Sequence, residues 1–337
     1  MPRAGRAALR AADFWDASRG FSLVWVTHLG RRHGLLRALA ASRSPLTANG
    51  LASRTGLDRA AVRLWCEAAA ALGLVSDRGA RYSLPPPLRA LVVDEASPRY
   101  LGGHLDYLAL RSLDYDAFDP FFRDGRPSAR RPRYLIQAFE EATKWDHTAF
   151  VEVLLPRAPT LKGALAAGAD VLDVGAGAGA WSFRVAERFP RSRFVGIEPD
   201  RTALRMARAK AAAIGLDERV SFEVGSGEKL PYRGRFDVAF LGEILCATDQ
   251  ATAVLARARR ALRPGGHLVV AEGLVDEGAD RADPGNALVM AMRLEFALQP
   301  AQLFNKRDLA RLIGAAGFAR PRFVSAGGGF YFAHARA

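Results

Sequence analysis

Ten residues constrain this chain more than any others. Val171–Ala180 reads VLDVGAGAGA. Val171 to Val174 is a short apolar run broken only by Asp173, and glycines follow at 175, 177 and 179. A helical pattern starts at once, with Trp181, Val185 and Ala186 apolar and Arg184, Glu187 and Arg188 polar. The order predicts a strand, a glycine turn and a helix. Glycine admits positive φ and the close approach of a ligand. The helix start turns unpaired N–H groups toward an electron-rich group.

Two ligand classes use such a turn. Gly175, Gly177 and Ala180 satisfy a relaxed G-x-G-x-x-[GA] dinucleotide pattern. Asp173 points elsewhere: a carboxylate at the strand end repels a pyrophosphate but suits the ammonium of an amino acid. A second apolar run, Phe194–Ile197, ends in Glu198, which can accept both hydroxyls of a ribose. An amino acid joined to a ribose describes S-adenosylmethionine (SAM).

From residue 157 onward strands and helices alternate, over Val171–Val174, Phe194–Ile197, Val220–Val224, Val238–Leu241 and Gly266–Glu272. Alternation at this spacing means βαβ units and a parallel sheet. Phe323–Ser325 and Phe330–Ala335, around Gly327–Gly329, form a closing antiparallel hairpin.

The series VLDVGAGAG, FVGIEPD (194–200), FDVAFLGEIL (236–245) and LRPGGHLVVAEG (262–273) resembles the full motif set of a class I SAM-dependent methyltransferase. The resemblance implies a Rossmann-like sheet with the glycines at 175, 177 and 179 under the methionine part of SAM. It implies Asp173 at the ammonium, Glu198 at the ribose, and Ile197 and Pro199 beside the adenine. Where many relatives carry an acid for the adenine amino group, this chain has Ser226, so recognition there leans on Ser226 and the backbone near Gly227. Gly242 closes the fourth strand, facing the methyl-transfer region.

The N-terminal part is expected to be mostly helical. Thr47 can cap a helix at 48–55, and Asp58 a longer one at 59–72. A turn at 77–79 and Tyr82–Leu84 complete a small hairpin. This order resembles a winged helix, which in plant-type small-molecule O-methyltransferases serves dimerisation. The expected division is a winged-helix dimerisation domain at 1–110, linker helices over the active site at 111–156, and a catalytic domain at 157–337. Further expected helices are Phe21–Ala41, Tyr100–Leu113 and a long one at Tyr134–Leu155, with a frayed helix before residue 20 and a loop at 114–133.

In the resembled family the turn after the fourth strand reads close to L-H-D-W, and its His deprotonates the acceptor. Here it reads Leu245-Cys246-Ala247-Thr248, so Cys246 stands at the base position. A buried thiol is normally inert. Glu272 matches a Glu that orients the missing His. Three catalytic readings stay open: His147, next to Asp146, serves as base; Cys246 does; or an easily ionised acceptor needs little base help. The acceptor wall is expected from Trp145, Met290 and Phe296. No metal constellation is present in the sequence.

The activity so implied is methyl transfer from SAM, leaving S-adenosylhomocysteine (SAH), to a small apolar or aromatic molecule at O, N, S or C. Two alternatives stand beside it: a SAM-binding enzyme of the same fold that does not methylate, and a SAM-sensing DNA-binding regulator. The net charge of +13 permits an acidic partner. Its basic residues alternate with acids, however, and the helix at 59–72 offers only Arg59 and Arg63 to bases, which argues against nucleic acid. The apolar runs fall short of a membrane span, and the two cysteines, Cys66 and Cys246, suggest no disulfide framework. A cytoplasmic homodimer is the expectation.

Overall fold

The computed structural model describes residues 10–97, 99–127, 133–275, 284–298 and 301–337. The chain forms two compact units: residues up to Asp116 with Arg131–Trp145, and Ala117–Arg130 with Asp146–Ala337. The expected fraying of residues 1–9 lies outside the described residues.

The first unit opens with a helix over Ala11–Arg32, followed by Leu35–Ala40. These two replace the single helix expected over Phe21–Ala41. The break falls at Gly34, whose φ of 72° no helix tolerates. Strand β1 (Leu46–Thr47) leads into Ala48–Thr55, where the Thr47 hydroxyl accepts from the Gly50 N–H at 3.1 Å. Asp58 caps Arg59–Ala71 through the Ala61 N–H at 2.8 Å. Strands β2 (Ser76–Asp77) and β3 (Arg81–Ser83) pair antiparallel, and β1 joins the other side of β3. Leu36, Leu51, Val62, Cys66 and Ala69 form the core between them.

A buried ion network ties the opening helix to a later one. Asp106, on the helix Gly102–Arg111, accepts from His28 and from Arg31, each at 2.8 Å. Arg31 also donates to the Tyr100 hydroxyl and to Glu141. The helices Gly102–Arg111 and Arg133–Ala142 pack so closely that no side chain fits at Gly103.

Tyr134–Leu155 is not the single helix that its periodicity suggests. Arg133–Ala142 stops at Thr143, whose hydroxyl bonds back to the Glu140 carbonyl. Lys144–Ala149 follows, then a π turn at Phe150–Leu154 and a last turn at Leu155–Arg157. Pro156 explains the π turn: its ring would strike the carbonyl four residues back, and the wider turn relieves that clash. The segment expected as a loop at 114–133 holds a 3₁₀ turn at Ser112–Ala117 and a helix at Phe118–Asp124.

The second unit is built on one sheet. Its strands are β4 (Asp170–Val174), β5 (Arg193–Glu198), β6 (Val220–Val224), β7 (Phe236–Gly242), β8 (Leu262–Val275), β9 (Phe304–Asn305), β10 (Arg322–Gly327) and β11 (Phe330–Arg336). The order is β6-β5-β4-β7-β8-β11-β10, with β9 pairing a further stretch of β8. Strands β4 to β8 are parallel, and β11 enters antiparallel beside β8. The order reverses between β4 and β7, so ligands are expected at the carboxyl ends of these two strands.

Side chains alternate across the sheet and build a core on each face. One holds Leu172, Val174, Leu241 and Leu268 against the helices Ala251–Ala261 and Lys306–Ala315. The other is aromatic: Trp181 stacks on Phe240 with centroids 3.8 Å apart, and Phe150 meets both edge-on. At the β6 edge the Arg208 guanidinium donates twice to the Phe222 carbonyl, at 2.6 and 3.1 Å. Among the described residues no helix is long and apolar enough to cross a membrane.

Gly103→Ala places a methyl on the Glu141 carbonyl oxygen. We expect a loss of about 1–3 kcal/mol, the usual cost of overpacking, read as a lower denaturant midpoint with an unchanged slope. Gly163→Ala, where a Cβ meets nothing within 4 Å, is the control that should not destabilise.

Candidate active site

The glycine turn after β4 is closed by its neighbour strand. The Gly175 and Ala176 N–H groups both donate to the Ile197 carbonyl, at 2.8 and 3.0 Å. Gly177 donates to Glu198 Oε2 at 2.9 Å, and the Asp200 N–H reaches Oε1 at 2.9 Å. Each oxygen of Glu198 therefore holds one backbone donor and keeps lone pairs for a ligand. At Gly179 a Cβ would run into the Phe222 ring, while at Gly177 it would meet nothing within 4 Å. Gly177, at a φ of 54°, is thus the point where the turn opens onto free space.

Asp173 is buried at the end of β4, and its Oδ2 accepts from the Ser182 hydroxyl at 2.7 Å. Burial raises its pKa to about 7, helped by Glu198 and opposed by the Ser182 bond. A cation at this carboxyl would remove most of that penalty. Pro199 is exposed beside Glu198. The Ser226 hydroxyl donates to Glu228 at 2.6 Å, so its proton is committed. A Cβ at Gly227 would press on Val254 and Val174, and one at Gly242 on the Phe240 ring. These two glycines permit packing.

The carboxyl ends of β7 and β8 carry a second constellation. Glu272 is completely buried; its Oε1 accepts from the N–H groups of Leu245 and Cys246, at 2.9 and 3.3 Å, and its Oε2 has no partner among the described residues. Burial first, and then the charge of Glu243, raise its pKa to about 8. Glu243 sits at a φ of 51°, a region that costs a non-glycine residue on the order of 1–3 kcal/mol. Its N–H donates to the Ala271 carbonyl at 2.8 Å, and its own carbonyl accepts from the Cys246 thiol at 3.3 Å. Burial and the charges of Glu243 and Glu272 hold the pKa of Asp146 well above the usual carboxylate range. Burial likewise raises Glu243, and burial with Glu272 and Glu243 raises the Cys246 thiol far above neutrality. Cys246 is therefore a closed thiol in the wall.

His147 is half-buried on the turn that carries Asp146. Trp145 closes the first unit and is half-buried. Met290 and Phe296 are half-buried on the helix Pro284–Leu298, which packs on β8. The residue that sequence reasoning missed is Glu243. Its signal was an acid directly after the strand-ending Gly242, where the turn begins. Among the described residues no group of three or more His, Cys, Asp or Glu side chains is arranged to hold a metal ion.

Residues 171–266 match the family model of a methyltransferase domain. Over that stretch the chain is similar to a methyltransferase domain. It is 35% identical over 103 residues to the ubiquinone/menaquinone biosynthesis C-methyltransferase UbiE of Dinoroseobacter shibae, covering 30% of this chain and 41% of that protein. The chain thus spans about two fifths of the length of that relative. It is 27% identical over 277 residues to the 3-hydroxy-5-methyl-1-naphthoate 3-O-methyltransferase of Streptomyces sahachiroi, covering 77% of this chain and 76% of that protein. The crystal structure of human N-acetylserotonin methyltransferase in complex with SAM matches over 99% of both chains, with a TM-score of 0.69 at 22% identity, and so shares the fold.

The raised pKa of Glu272 has a measurable sign. Between the ordinary carboxylate value and about 8 the folded protein keeps a proton that the unfolded chain has lost. Stability therefore falls as pH rises through that window, by up to about 1.4 kcal/mol per pH unit for one group. Glu272→Gln keeps the acceptor oxygen but cannot ionise. Its chemical-denaturation stability should fall less than that of the wild type between pH 5 and pH 9, by that order.

Proposed function

We propose that the protein transfers a methyl group from SAM to a small, largely apolar or aromatic molecule. The glycine turn carries this reading: its open point at Gly177 adjoins Glu198, a carboxylate with free lone pairs, and the turn follows Asp173, a buried carboxyl with no cationic partner among the described residues. The ammonium of SAM meets the need at Asp173, and its ribose hydroxyls meet Glu198. The SAM-bound human structure of the same fold supports the cofactor, and the naphthoate O-methyltransferase supports a hydroxyl on an aromatic ring as acceptor.

SAM, when bound, supplies an electrophilic methyl on a sulfonium that leaves as a neutral thioether. This chain's own part is to bind, orient and exclude water, and positioning alone lowers such a barrier greatly. Glu272 holds the turn at Leu245 and Cys246 in place. Met290 and Phe296 form the adaptable apolar wall. Ser226, Pro199 and the backbone near Gly227 take the adenine.

Isothermal calorimetry tests the cofactor site. Gly177→Val should fill the open point and abolish SAM and SAH binding in a protein that still unfolds cooperatively. Glu198→Ala and Asp173→Ala should each weaken binding by about 1–3 kcal/mol, the range for a hydrogen bond to a charged group. Unchanged affinity in a folded Gly177→Val protein would refute the assignment.

The first unit is the dimerisation part of this reading. Phe14, Trp15, Phe21 and Leu29 are exposed along the helix Ala11–Arg32, and Leu64 on the helix Arg59–Ala71. Exposed apolar surface of this kind marks association. Sedimentation velocity at micromolar concentration should show a dimer, and Trp15→Glu with Phe21→Glu should shift it toward the monomer. A monomeric wild type would contradict it.

A further inference from the structure

We infer that Glu243, backed by Asp146, takes the proton of a weakly acidic hydroxyl on the methyl acceptor, in the place where this turn lacks an imidazole. The inference rests on the methyl-transfer reading above. It starts from an arrangement of groups. Glu243 stands at the carboxyl end of β7, directly after the strand, and Glu272 at the corresponding end of β8. Asp146, on the short helix at 144–149, is close enough for the charges of both to act on it. Neither Glu243 nor Asp146 has a cationic partner among the described residues, and the Oε2 atom of the fully buried Glu272 has no hydrogen-bond partner. Glu272 keeps its proton to about pH 8, so the carboxylate left to accept from a donor at this strand end is that of the half-buried Glu243. The donor that fits a site built at the end of this strand is the acceptor's own O–H.

The other candidates are weaker on geometry. The Cys246 thiol donates to the Glu243 carbonyl and is held protonated by its burial and by Glu272 and Glu243. Glu272 spends one oxygen on two backbone N–H groups. The carboxyl of Glu243 makes no such bond among the described residues, and its backbone is held in a strained turn by the Ala271 carbonyl. Carboxyls this close to one another do not all ionise together, so the set holds protons above the usual carboxylate range. That suits a base working near neutrality.

In the step, the acceptor O–H bond breaks and its proton goes to Glu243. The oxygen pair forms the new bond to the methyl carbon, and the sulfur–carbon pair returns to the sulfonium of SAM. One carboxylate and one sulfonium become a carboxylic acid and a thioether, so the buried site ends with less charge than it began. The groups facing Glu243 that share this titration are Asp146, Glu272 and Cys246, with His147 next to Asp146.

Two measurements on the full-length protein test this. The first is infrared titration with SAM present, following the stretch of protonated carboxyl groups. We expect a buried protonated band at pH 6 that declines as pH rises and is smaller in Glu243→Gln; a wild type without that band overturns the inference. The second is SAH release against pH, with 1-naphthol as acceptor, or with solvent water where naphthol is not taken. The wild-type rate should rise with pH through the cluster's titration. Glu243→Gln should lower kcat by about 10²–10⁴-fold, the usual share of a general base, and abolish the rise, with SAM affinity kept and Glu243→Asp recovering part of the rate. Cys246→Ala should keep the rise and lose less than about tenfold. A Glu243→Gln protein with the wild-type pH profile, or a His147→Ala or Cys246→Ala protein that alone loses the rise, overturns the inference. Absent SAM binding in calorimetry would refute the methyl-transfer reading by itself, and the infrared titration would still decide whether the cluster holds its proton.

Discussion

Everything in the second unit depends on the pairing of β4 with β5. That ladder brings the Ile197 carbonyl under the turn, where it takes two N–H groups from successive residues, Gly175 and Ala176. The next residue, Gly177, gives its N–H to Glu198. Three consecutive donors are therefore fixed by one neighbouring strand end, and the turn needs no ligand to hold its shape. The same pairing sets Asp173 near the end of β4 beside Glu198 at the end of β5, so the spacing between the two carboxyls follows from strand register.

The opposite flank obeys a different constraint. There the turn after β7 is held by a side chain, the buried Glu272, and by a residue forced into a left-handed conformation, Glu243. Both features cost stability locally, and the large apolar and aromatic cores on the two faces of the sheet offset them. Strain and unpaired charge gathered at one strand end, over a well-packed floor, is the pattern expected where a scaffold holds reactive groups in place.

Most of the second unit was legible in the sequence, because parallel strands read as short apolar runs with punctuation between them. The five parallel strands and the closing hairpin fall where the runs lie, and the caps at Thr47 and Asp58 form as their residue types require. Helix breaks were not legible at the same level. Periodicity runs straight through Thr143 and the π turn at Phe150–Leu154, since an apolar stripe says which face is buried and nothing about which backbone bonds are lost. Asp173 and the three glycines could be named as candidates because they lie within a few positions of one turn, and Glu198 because it ends the next apolar run. The carboxyl cluster could not, because Asp146, Glu243 and Glu272 are far apart in the chain, and their shared burial appears only when the strand ends are assembled.

The Arg208 guanidinium on the Phe222 carbonyl has a consequence outside the site. Strand β6 is the last in its sheet, and an open strand edge presents backbone acceptors to any other extended chain. With two N–H groups from one arginine on the central carbonyl, the register for an added strand is interrupted at its midpoint. The arginine thereby works against aggregation: it denies a partially unfolded neighbour the row of acceptors on which a fibril-like ladder would begin to grow.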